Sequence, residues 1–73
     1  MTKNERMAKE CVEKAQKLLG AGWNHVSLDV QWGLVAANIL ALFMAQDEEI
    51  NGDRVRAYIA GVNDEAYKMV YGD

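Results

Sequence analysis

Apolar residues recur at intervals of three and four along almost the whole chain, and glycines at positions 20, 22, 52 and 61 divide it into segments. In the first segment Ala8, Cys11, Ala15 and Leu18 form one stripe, with Met7, Val12 and Leu19 beside it. This spacing predicts an amphipathic helix over residues 3–19. Thr2 stands three residues before Glu5, a capping-box spacing in which hydroxyl and carboxylate satisfy backbone donors that a helix start leaves free. Gly20 is placed to close the helix in a left-handed conformation. Glu5/Lys9, Glu10/Lys14 and Glu13/Lys17 are four apart in the favourable order and mark the solvated face.

The second segment predicts a helix over 28–46, with Ser27 as N-cap and Asp29 near the positive end of the helix dipole. It is apolar nearly all round. Leu28, Trp32, Val35, Ile39 and Leu42 make a bulky face, Gly33, Ala37, Ala41 and Ala45 a row of small side chains, and Gln31 with Asn38 a thin polar seam. A helix of this kind needs neighbours on most sides, which predicts that it lies in the middle of the fold. Two short flanking helices cannot cover it. Gly33, Ala37, Asn38, Ala41 and Ala45 are therefore the expected interface with a second copy, where small residues let backbones approach and a buried Asn38 can fix register.

The third segment predicts a helix over 53–71 with Val55, Ile59, Val62, Ala66 and Met69 on one stripe. Gly61, Val62 and Asn63 also read as the end of one helix and the capped start of another, with Val62 stapled to Tyr67. A break or kink near Gly61 is the expectation, against the continuous stripe. The fold class is all-α: a compact bundle of three helices, or four if the break is real.

Composition sharpens this picture. The chain has 73 residues, 51% of them apolar, and no proline, so it is one folded domain rather than a disordered segment. A monomer of this size buries only about 60% of its unfolded surface. Small domains are commonly reinforced by disulfides, metals or self-association. One cysteine, Cys11, excludes an internal disulfide, and one histidine, His25, excludes a histidine-rich metal site. A homodimer or higher homo-oligomer is the expected remedy. The N-terminus carries Lys3, Glu5 and Arg6 with no apolar run behind them, which points to a cytoplasmic setting. The longest apolar stretch, from Trp32 to Ala45, is interrupted by Asn38 and falls short of the ~20 residues of a membrane span, so no transmembrane segment is expected.

Charge and candidate chemistry bear on function. Net charge is −3, which opposes the phosphate attraction behind nucleic-acid binding. Residues 1–20 carry five basic and three acidic side chains, residues 47–73 three and seven, so opposite ends of two copies can attract. Asp47, Glu49, Asn51 and Gly52 fall at four positions of a calcium-loop spacing. Arg54 and Tyr58 then occupy positions that need an apolar residue and a bidentate glutamate, so the pattern fails. His25 and Asp29 are four apart, but two ligands do not make a zinc site. Cys11 belongs to the inward stripe, where a buried thiol is inert.

Asn51, Arg54, Arg56 and Tyr58 form the cluster best suited to a ligand, since guanidinium groups beside a phenol can bind a phosphate or carboxylate. Trp23, in a loop, is placed either as a lid over the core or as an interface anchor. The competing reading pairs the two arginines with Asp53, Glu48 or Glu49 at the surface. No nucleophile elbow, phosphate loop or metal quartet is present. The expected function is a non-enzymatic oligomeric adaptor or inhibitor acting through protein-protein contact, without cofactor or metal. The alternative is a module that sequesters a nucleotide or other anionic metabolite at a subunit junction.

Overall fold

The computed structural model describes residues 1–45 and 52–72. The order is α1 (Lys3–Leu19), a 3-10 helix (Gly20–His25), α2 (Leu28–Ala45) and α3 (Asp53–Tyr71), and the described residues contain no strand. The fold is all-α, with three helices packed together, each touching the other two.

Local chemistry accounts for the ends. Thr2 Oγ1 accepts from the Glu5 N–H at 3.1 Å while Glu5 Oε1 accepts from the Thr2 N–H at 3.4 Å, closing the capping box. Hydrogen bonding to the Thr2 side chain, and next to the Thr2 backbone N–H, holds the Glu5 carboxyl below its ordinary value. Glu5 is thereby drawn back to the cap, while Glu10 and Lys14 close an ion pair at 3.4 Å. Ser27 Oγ accepts from the Val30 N–H at 3.2 Å and starts α2. Gly20 ends α1 with φ +54° and ψ −127°, a positive-φ conformation outside the left-handed helical region expected for it. Gly72 does adopt that region at the end of α3.

The core is built from Ala8, Cys11 and Ala15 of α1, Val35, Ile39 and Phe43 of α2, and Val62 and Ala66 of α3. Small side chains on α1 and α3 let three helices close around the larger residues of α2. Two expectations change here. Leu18, counted on the inward stripe, is 70% exposed; it sits at the groove lined by Asn38 of α2. Gln31, assigned to a polar seam, is buried. Residues 31, 35, 39 and 43 recur every four and share one row, so the glutamine enters the core, where its Nε2 donates to the Trp23 carbonyl at 2.6 Å. That bond ties the 3-10 helix onto α2. Gln31→Leu removes the donor for that carbonyl and is expected to cost about 1–3 kcal/mol, read as a lower urea midpoint with unchanged slope.

The expected break at Gly61 is absent: α3 runs unbroken from Asp53 to Tyr71. Gly61 serves another purpose, because a Cβ there would lie 2.7 Å from Asn4 Nδ2 of α1. The glycine leaves room for the Asn4 side chain, and Asn63 lies inside the helix rather than capping one. Nor is α2 surrounded. It buries Gln31, Val35, Ile39 and Phe43, while its opposite side faces outward, because two neighbours can cover only one side of a helix. The surface of 4945 Å² exceeds the roughly 4,500 Å² expected of a monomer of this mass.

Candidate functional site

The uncovered side of α2 is a run of exposed apolar side chains. Val30, Gly33, Ala37, Leu40 and Met44 follow one another at intervals of three and four, so they share a face. All five are exposed, with Val30 at 48%, Leu40 at 44% and Met44 at 58%. Ala41 and Ala45 widen the strip and are exposed too. No charged residue occurs between Val30 and Ala45, so the strip lacks the charges of an ordinary solvent-facing helix. A Cβ added at Gly33 would meet nothing within 4 Å. Four of the five expected interface residues, Gly33, Ala37, Ala41 and Ala45, thus lie together on open surface. Asn38 stands apart at the edge toward α1, half-buried, with its Nδ2 donating to the Leu34 carbonyl at 2.8 Å. The exposure of Val30, Leu40 and Met44 was missed, although their spacing within the strip is legible.

The two flanks of the strip differ. On one side Lys14, Lys17 and Leu18 of α1 border, with Asn38, a groove of about 320 Å³. On the other, Trp32 meets Tyr67 of α3 edge to face at 5.4 Å, Tyr67 packs on Tyr71 at 4.4 Å, and the Tyr71 O–H donates to Asp29 Oδ1 at 2.6 Å. Tyr71, two residues from the last residue of the chain, is held by this bond. The Asp29 carboxylate keeps the phenol protonated and pushes its pKa from 10 up to about 12. The bond therefore stabilises the α2–α3 contact below pH 10 and is lost as pH rises through about 12. A tyrosinate absorbance titration should show a step near 12 that disappears in Tyr71→Phe.

A pocket of about 430 Å³ lies at the other end of the bundle, lined by Phe43, Arg54, Val55 and Tyr58. Tyr58 is fixed there by three contacts from α1 and α2. Its O–H donates to Met7 Sδ at 2.9 Å, its ring meets Phe43 edge to face at 5.1 Å, and Lys3 Nζ stands 5.2 Å from the ring centroid. Lys3 is a cation that the sequence reading did not include. Arg54 and Tyr58 are brought together, one helical turn apart. Arg56 is exposed and, two residues from Arg54, projects to another side of α3.

Trp23 is half-buried against the core, and Gln31, which bonds its carbonyl, is about 18 Å along α2 from Phe43 by rise per residue. Trp23 closes the connection between α1 and α2 rather than the pocket. Asn51 and the proposed partners Glu48 and Glu49 lie outside the described residues.

His25 is exposed, and Asp29 is engaged by Tyr71 rather than by His25. Cys11 is buried, and burial pushes its thiol above its ordinary value, the reverse of what a nucleophile needs. Among the described residues no three His, Cys, Asp or Glu side chains gather as for a metal. By length and composition α2, with a mean hydropathy of 1.6, could cross a membrane. Here Gln31 and Asp29 bind it to the 3-10 helix and α3. Comparison with protein-family models, curated proteins and solved structures finds no match.

Proposed function

We propose that this protein is a non-enzymatic adaptor or inhibitor that acts as an oligomer and binds through helical surfaces. The observation that carries the reading is the outer strip of α2, exposed along its length and without a charge from Val30 to Ala45. Contiguous apolar surface of this kind is costly to leave in water and marks contact sites. Its small residues suit another helix better than a flexible ligand, since they allow close backbone approach. Self-association also answers the limited burial available to a chain of 73 residues.

A second reading has its own support. The pocket beside Arg54 and Tyr58 joins a guanidinium to aromatic walls, a setting for a nucleotide or other anionic metabolite. Native mass spectrometry of gently purified protein separates the two. A bare multimer supports the adaptor reading. A fixed added mass per chain, lost in Arg54→Ala, supports the metabolite reading. A bare 8.2 kDa chain at every concentration contradicts self-association.

A further inference from the structure

The walls of the pocket between α2 and α3 narrow the class of anion that can occupy it. Its space of about 430 Å³ falls near the small end of the range for small-molecule sites. Phe43 and Val55 offer a ligand only hydrocarbon. Tyr58 adds a ring held edge to face against Phe43, and its O–H is already donated to Met7 Sδ at 2.9 Å. Lys3, 5.2 Å from the centre of that ring, does not line the cavity. Among the described lining residues, Arg54 is thus the one side chain left to donate hydrogen bonds to a ligand. Its guanidinium is not engaged in an ion pair with any carboxylate of the described residues.

A single guanidinium fork matches a carboxylate, which takes two parallel N–H donors in one plane. A phosphate monoester carries about two negative charges at neutral pH. Arg54 offsets one of them, while Asp53 adjoins it and the chain as a whole carries −3. A nucleobase also has ring nitrogens that need donors once water leaves them. Phe43, Val55 and the committed Tyr58 phenol supply none. A flat hydrocarbon ring has no such need and gains from contact with two aromatic side chains. Resting on the metabolite reading of this pocket, we propose that its ligand is a small aromatic carboxylic acid. The ring lies against Phe43 and Tyr58, and the carboxylate sits in the Arg54 fork.

The test is a titration of the full chain by amide proton–nitrogen NMR with 2-naphthoate, its neutral amide 2-naphthamide, and adenosine monophosphate. The expected result is saturable shifts at Phe43, Val55 and Tyr58 with 2-naphthoate, at least about tenfold tighter than with either other probe. Arg54→Ala should lose that margin. Arg54→Lys, which keeps the charge and removes the fork, should lose most of it. Arg56→Ala, an exposed position outside the pocket lining, should keep it. Adenosine monophosphate binding the same residues more tightly than 2-naphthoate would overturn the carboxylic-acid class and leave the metabolite reading standing. Equal binding of 2-naphthoate by wild type and Arg54→Ala would overturn the assigned role of the fork and the inference with it. Absence of shifts at these residues with every probe at millimolar concentration would remove both the metabolite reading and this inference.

Discussion

Phe43→Ala is expected to destabilise the fold by about 3–5 kcal/mol, the range for deleting a fully buried aromatic side chain. Phe43 is 2% exposed and the bulkiest of the fully buried residues. It also supplies the edge-to-face partner of Tyr58, so the substitution opens a cavity where α2 meets α3. The whole stability of a chain this size is about 4–11 kcal/mol by the usual per-residue range, and a large share of it disappears. The thermal midpoint should fall by at least about 12 °C, with Phe43→Leu much milder because most of the volume is kept. A loss below about 1 kcal/mol for Phe43→Ala would show that α2 does not use this face for the core.

Ala37→Glu is expected to separate the copies and leave each one folded. Position 37 is at the middle of the outer strip and exposed in the single chain. Glutamate is also a good helix former, so the helix itself loses only a few tenths of a kcal/mol. In the assembled pair the same carboxylate would be buried without a partner, a penalty of several kcal/mol. Association should weaken by more than about 100-fold. Wild-type thermal midpoints should rise with protein concentration, as they do when folding and assembly are linked, whereas those of Ala37→Glu should not. Equal concentration dependence in the two proteins would place any contact elsewhere.

Much of the architecture is legible in the residues. Thr2 with Glu5 and Ser27 with its following turn announce two helix starts through side-chain chemistry that needs no tertiary partner. The apolar periodicity of α1 and α3 locates Ala8, Cys11, Ala15, Val62 and Ala66 in the core. Periodicity fails where a helix is apolar all round. In α2 every face could be inward by composition, and only packing selects Gln31, Val35, Ile39 and Phe43. Gln31 is misplaced by its chemistry, since a carbonyl of the 3-10 helix awaits it in space but not in sequence. Gly61 misleads similarly, because a glycine that ends a helix and one that admits Asn4 look alike in a string of letters. The small row at Gly33, Ala37, Ala41 and Ala45 was visible. The large exposed residues beside it became visible only once the buried row was fixed. Of the ligand cluster, Arg54 and Tyr58 share a pocket because they stand one turn apart, whereas Lys3 joins them through a contact 55 positions distant in the chain.

The proposed self-association through the outer strip of α2 is tested most directly by sedimentation equilibrium of wild type and Ala37→Glu across a wide concentration range. The expected result is a wild-type mass that climbs toward twice 8.2 kDa while the variant stays at the mass of one chain. A wild type that remains one chain at the highest concentrations, or a variant that assembles equally well, would contradict it.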